Sequence, residues 1–212
     1  MSRISNLAQH NFNLFATLNT QTRLFDAQTE VSTGQKSQDY AGIDRQAGRL
    51  INFKSELERV RQFQDNIETT ERRLELMGFS LQRIEEVARD FRTTLLNARN
   101  GETADTIGLK ELSQGLLDQI VDLLNVRDET RFLFAGGDIE TKPVQLNNGT
   151  YTPPTVPPFP ATADTTWYEG DNVVQLARVD ESFQVSYGLT ADANAIEKVI
   201  RAFDAVSEIT FT

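Results

Sequence analysis

From Leu74 to Ala98 the apolar residues return at alternating steps of three and four: Leu74, Met77, Leu81, Ile84, Ala88, Phe91, Leu95 and Ala98. That spacing keeps one stripe on one side of a helix, facing a partner helix. Upstream, Leu50, Leu57, Val60 and Ile67 carry a looser form of it, and no proline interrupts residues 43–98. The pattern predicts a single helix over 43–98, roughly 80 Å long at its rise per residue and far above ordinary globular length. Only other long helices can cover such a stripe. The expected class is therefore mainly α, an elongated helical rod, antiparallel if its helices fold back on one another.

Residues 4–31 repeat the pattern more weakly. Ile4, Leu7, Leu14, Leu18 and Phe25 keep heptad spacing, and Phe12, Phe15, Leu24 and Val31 broaden the face. Asn11 and Gln21 fall where the heptad wants apolar residues. One reading is a frayed helix on a globular core. The favoured one is a helix unstable alone that orders between neighbouring copies. A polar, turn-prone stretch from Val31 to Gly42 then breaks the helix, with Asp39 or Asp44 as candidate caps for the next one.

The long helix should stop near Asn100-Gly101. Thr103 or Asp105 would cap a third helix, in which Leu109, Leu112, Leu116, Ile120 and Leu123 keep the seam and Leu117 and Leu124 widen it. Periodicity does not decide whether this helix folds back or continues the line. At Arg131–Asp138 the helical period gives way to an aromatic run ending in glycines, read as a strand with Phe132 and Phe134 as packing residues. Residues 139–166 are irregular and proline-rich, with a hairpin signal at Asn147-Asn148-Gly149. Trp167-Tyr168, Asn172–Val179 and Phe183–Tyr187 read as short strands. A last helix opens at Asp192 or Asn194 and carries Ile196, Val199, Ile200, Phe203 and Val206.

Composition narrows the chemistry. The net charge of −10 over 212 residues, with no offsetting Lys/Arg cluster, argues against a nucleic-acid surface. There is no cysteine, so disulfides and thiolate chemistry are excluded. The N-terminus is too polar for a secretory signal peptide, and no apolar run approaches a membrane span. His10 is the single histidine, in a packing helix, which leaves no histidine cluster for a metal site or triad. Glu85-Glu86 and the Asp118/Asp122 pair read as solvated helix faces. Gly136-Gly137-Asp138 has no phosphate-binding context, and the Asn148-Gly149-Thr150 sequon reads as incidental. Arg72, Arg73, Arg83, Arg89 and Arg92, spaced along the rod, read as groups for ion pairs between subunits or simply for solubility, individually weak when exposed. Nothing predicts a catalytic residue, a cofactor or a metal.

The order of these elements, with their motifs, resembles the bacterial flagellin family, and within it the hook–filament junction members. Val31-Ser32-Thr33-Gly34 is similar to the Ser-Thr-Gly signature after the family's terminal helix, with the usual basic residue displaced to Lys36. Arg131-Phe132-Leu133-Phe134-Ala135-Gly136 is similar to a junction-type Arg-Tyr-Leu/Ile-Phe-Ala-Gly segment, followed by the similar Glu140-Thr141-Lys142-Pro143. Trp167-Tyr168-Glu169-Gly170-Asp171 resembles the aromatic-x-Gly-Asp strand entry. The resemblance implies a polymerisation helix and connector at 1–42, a rod at 43–132 plus 191–212, and a small inserted β-rich outer domain at 133–190. It implies a subunit secreted unfolded by the flagellar type III export apparatus with an export chaperone, and placed outside the cell without a cleaved signal peptide. There it would self-associate in a ring between the hook-side junction protein (hook-associated protein 1) and flagellin. The competing readings are filament flagellin, or another secreted coiled-coil assembly protein. The family also closes its rod with a long C-terminal helix for which these residues hold no heptad segment, so the resemblance implies a longer chain.

Overall fold

The computed structural model describes residues 2–35, 47–98, 108–154 and 163–208, with side chains from Asn6 onward. Contacts divide the chain into Met1–Arg59 and Val60–Thr212. Among the described residues the fold is mainly α, with two small antiparallel hairpins.

Helix α1 spans Ser2–Thr33. It is threaded with threonines whose hydroxyls donate to the carbonyl one turn back, among them Thr29 to Phe25 and Thr33 to Thr29. It ends where Gly34 turns left-handed at φ 67°, its amide donating to the Glu30 carbonyl at 2.8 Å. This is the glycine-terminated cap that releases a chain from a helix, and it gives the Ser-Thr-Gly signature a mechanical meaning. The candidate caps Asp39 and Asp44 lie outside the described residues.

Helix α2 spans Ala47–Asn97, one uninterrupted element of 51 residues. From Val60 onward it buries Met77, Ser80, Ile84, Val87 and Phe91. Leu81, Ala88 and Leu95 pack partly buried beside them. Leu74 departs from the expected seam and is 44% exposed. Residues one apart on a helix point about 100° apart. Here the neighbouring Arg73, its side chain 21% exposed, faces the protein, so Leu74 turns away. Asn100-Gly101, Thr103 and Asp105 fall outside the described residues.

Helix α3, Leu109–Leu124, starts after Gly108 in the left-handed region at φ 65°, without a side-chain cap. It buries Leu109, Ser113, Leu117, Ile120 and Leu124. The stripe is thus rotated by one residue, about 100°, from the expected one: Leu117 and Leu124 replace Leu116 and Leu123, and Leu112 is 37% exposed. Asp128, four residues beyond α3, ion-pairs with Arg72 and Arg73. The third helix therefore folds back along α2 rather than extending it.

Hairpin β1 (Arg127–Asp128) with β2 (Arg131–Phe132) and hairpin β3 (Gln175–Arg178) with β4 (Gln184–Tyr187) are shorter than the expected strands. The run from Leu133 to Gly136 is buried but forms no strand ladder. Tyr168 makes only a single bridge, to Val144. The Asn147–Gly149 signal forms a turn, with Gly149 at φ 79°. Helix α4, Asn194–Glu208, buries Ile196, Ile200 and Phe203. One buried cluster joins Met77, Ile84 and Phe91 of α2 with Leu117, Ile120 and Leu124 of α3, the loop residues Phe134, Val144, Tyr151 and Trp167, and Ile200 and Phe203 of α4. Phe91 and Phe203 stack at its centre, ring centroids 4.3 Å apart.

Candidate assembly surfaces

The residues named from sequence fall into two groups. Ile84, Phe91, Ile120 and Phe134 are buried in the core of Val60–Thr212. Leu81, Leu95 and Leu116 flank that core half-buried, and Phe132 is half-buried beneath the Arg127 guanidinium, 4.7 Å from its ring centroid. Leu74 and Leu112 are exposed. The residues on α1 form the second group. Leu7, Leu14, Leu18 and Phe25 are exposed, as are Phe12, Phe15, Leu24 and Val31, with Phe12 at 71%. Ile4 lies on α1, its side chain outside the described set.

Along the opening turns of α2, Leu50, Ile51, Phe53 and Leu57 are also exposed. Fully burying one such side chain is worth about 1.5–3 kcal/mol. Helices that present so many without cover hold a large reserve of association energy. Apolar patches of this extent mark interaction surfaces.

The loops that close the core carry two of the sequence motifs, and they meet. Gly136 has φ 70°, and a Cβ there would lie 2.2 Å from the Asp171 carbonyl oxygen. The Gly137 amide donates to Asp171 Oδ1 at 2.5 Å, and the Asp171 amide returns a bond to the Ala135 carbonyl at 3.1 Å. Tyr168 donates its hydroxyl to the Asp171 carbonyl at 2.7 Å. The Gly137 and Val173 amides hold the Asp171 carboxyl below its ordinary value. Thus Phe-Ala-Gly-Gly and Tyr-Glu-Gly-Asp are the two halves of one clasp, and each glycine is needed for the close approach.

A second clasp fixes β1 to α2. Asp128 is 7% exposed and accepts from Arg72 Nε at 3.1 Å and Arg73 Nε at 2.9 Å. Arg73 reaches on to the Tyr187 hydroxyl on β4 at 3.4 Å. Hydrogen bonds from Arg72 and then Arg73 lower the Asp128 carboxyl. The surface reading of these two arginines is thereby corrected: they hold both hairpins. Arg83 and Arg89 pair with Glu86 and Glu85 on the helix surface.

Sequence reasoning missed three buried polar residues of α4. Glu197 binds Arg201 and the Asp164 amide, Asp204 accepts from the Tyr151 hydroxyl at 2.5 Å, and Ser207 donates to the Asp204 carbonyl. Burial pushes the Asp204 carboxyl up, opposed by its bond from Tyr151. The missed signal was spacing: Glu197, Asp204 and Ser207 recur on the apolar face of their helix. A cleft of about 600 Å³ opens beside Asp204, lined by Asp118, Asp122, Lys142 and Glu208 over Leu117 and Val144. Among the described residues no group of three or more metal-ligating side chains converges, and no helix is long and apolar enough to cross a membrane.

No protein-family model matches the sequence, and no curated protein matches it. Solved structures do. A chain assigned as a flagellar hook-associated protein from Vibrio parahaemolyticus superimposes with a TM-score of 0.58 at 21% identity, over 76% of this chain and 71% of that one. FlgL of Bacillus cereus gives 0.53 at 15% identity, over 76% and 74%. The fold is that of the flagellar hook-associated and junction proteins. The junction protein FlgL of Legionella pneumophila shares it too, with a TM-score of 0.51 at 23% identity. That match takes in 69% of this chain but only 40% of the Legionella protein. In this junction-protein fold, the clasps and core described above belong to Val60–Thr212, and the exposed apolar residues of α1 and of the opening turns of α2 belong to Met1–Arg59.

Proposed function

We propose that the chain is a structural subunit of the bacterial flagellum that joins hook to filament by long-helix packing. The observation that carries this reading is a junction-protein fold combined with an N-terminal helix whose apolar face is exposed along its length. Residues 1–42 act as the polymerisation segment, supplying Leu7, Leu14, Leu18 and Phe25 to neighbouring subunits in a ring. The hook-side junction protein and flagellin are the partners above and below. The outer face belongs to residues 133–190, carried on the rod formed by 43–132 and 191–212. Export is by the flagellar secretion apparatus with a chaperone, without signal cleavage, because a segment that stays unfolded until packed suits passage as an extended chain. The role is structural and not catalytic.

Filament flagellin is the second reading. The Phe-Leu-Phe-Ala-Gly run and its Asp171 partner favour the junction subunit. Disrupting the gene tests the choice. Flagellin spilled into the medium from cells with intact, bare hooks identifies a junction subunit; loss of flagellin with junction proteins still on the hook identifies a filament subunit. Normal filaments on the disrupted strain would reject both.

A further inference from the structure

Asn148-Gly149 serves neither the core nor the assembly faces, yet its side chain is engaged at every position. Asn148 Oδ1 accepts from the Thr150 amide at 2.9 Å and the Tyr151 amide at 3.0 Å. Its Nδ2 donates to the Thr166 carbonyl at 2.7 Å and to Glu169 Oε1 at 2.6 Å. One side-chain amide therefore ties the 148–151 turn to the segment that carries Tyr168 and Asp171. Gly149, at φ 79°, is exposed and has no side chain to shield its nitrogen.

An asparagine followed by glycine is the arrangement most prone to intramolecular deamidation. The deprotonated Gly149 nitrogen would attack Asn148 Cγ, forming a C–N bond while the Cγ–Nδ2 bond breaks and ammonia leaves. Water then opens the resulting succinimide at either carbonyl, giving an aspartyl or an isoaspartyl linkage. No oxidant or reductant is involved.

We infer that Asn148 is a latent deamidation site, locked while the turn is folded and open while the chain is unfolded. To bring Cγ and the Gly149 nitrogen into reaction, the amide must rotate out of its four hydrogen bonds, and ammonia cannot depart while Nδ2 is held by Thr166 and Glu169. Conversion would also disturb the turn. The carboxylate formed at position 148 faces Glu169 at hydrogen-bond distance with no proton between them, so the two repel. The tie from this turn to Glu169 then opens, and with it the route by which Tyr151 reaches Asp204. The sequon reading is closed by the same geometry, because both Nδ2 hydrogens are committed.

The test is incubation of the full chain at neutral pH, folded and in urea, with peptide mass spectrometry of the segment containing residue 148. Asn100-Gly101 in the same chain serves as the clock in urea, where the two sites should react alike. Deamidation at Asn148 is expected to run about tenfold or more slower in the folded chain, the population factor for breaking one or two net hydrogen bonds. Glu169→Ala should bring the folded rate up several-fold, whereas Glu169→Gln, which keeps an acceptor oxygen, should not; circular dichroism confirms that both variants are folded. Less than tenfold protection in the native chain would overturn the inference. So would a Glu169→Ala variant that is folded and fully protected.

Discussion

Gly136 and Asp171 stand so close that a Cβ on the glycine would lie 2.2 Å from the Asp171 carbonyl oxygen. Gly136 also has the left-handed φ of 70°. Both constraints come from one need: the Phe134–Gly137 turn must press against Glu169–Asp171 to bury Phe134 and Trp167, which are 0% and 1% exposed. Gly136→Ala should therefore cost about 3 kcal/mol, a backbone term plus the displacement of Asp171. Gly149→Ala, with φ 79° but open space around it, should cost only about 1 kcal/mol. Urea unfolding of the two variants side by side checks the difference.

The Asp128 clasp makes a second prediction. Asp128→Asn removes the charge that Arg72 and Arg73 share and should cost about 2 kcal/mol, kept below the fully buried value because Arg72 is half exposed. Since its folded value is lowered, the carboxylate's contribution is present above the unfolded value of about pH 4 and fades as pH falls through the folded one. Denaturation midpoints of wild type and variant should therefore converge in acid. A gap that stays constant would show that Asp128 acts by shape alone.

Asp204 should behave in the opposite sense. Burial raises its carboxyl, so its contribution is fully present below the unfolded value and is lost as pH rises through the folded one. Asp204→Asn imitates the protonated acid and should match wild type near about pH 4, then become the more stable of the two toward about pH 7.5. Tyr151 and Glu208 are the titratable groups that act on it most directly, and Asp118, Asp122 and Lys142 line the same cleft. Urea midpoints taken across that range decide it, and a variant less stable at neutral pH would reverse the assignment.

The register of α2 is tested by a pair of charges. Ile84→Asp places a carboxylate at a side chain 5% exposed and should cost about 4 kcal/mol or more. Leu74→Asp, at a residue 44% exposed, should change stability by less than about 1 kcal/mol. Thermal unfolding of both separates this seam from one that runs straight through Leu74.

The helices were legible because a three-four recurrence survives whatever partner covers it: α1 and α2 match their expected spans within a few residues. Which leucine of each pair faces inward was not legible. Leu116-Leu117 and Leu123-Leu124 satisfy two registers equally, and the choice falls to Ser113, whose hydroxyl donates to the Phe203 carbonyl at 2.7 Å across the core. A buried serine carries no apolar signal. The strands were overread because Leu133, Phe134 and Ala135 are apolar for packing, while the positive φ of Gly136 prevents a ladder. The motifs around Gly136 and Asp171 could be matched in sequence, but their contact across 35 residues could not. Asp128 carries no local signal of its role, because its partners lie 55 and 56 residues away.

The proposed role rests on the apolar face of α1 serving neighbouring subunits. Its most direct test is the thermal unfolding midpoint of a chain carrying Phe12→Asp, Phe15→Asp and Phe25→Asp together. The account predicts a midpoint indistinguishable from wild type. A marked fall in that midpoint would contradict it, by showing that those three rings are already spent on the chain's own fold.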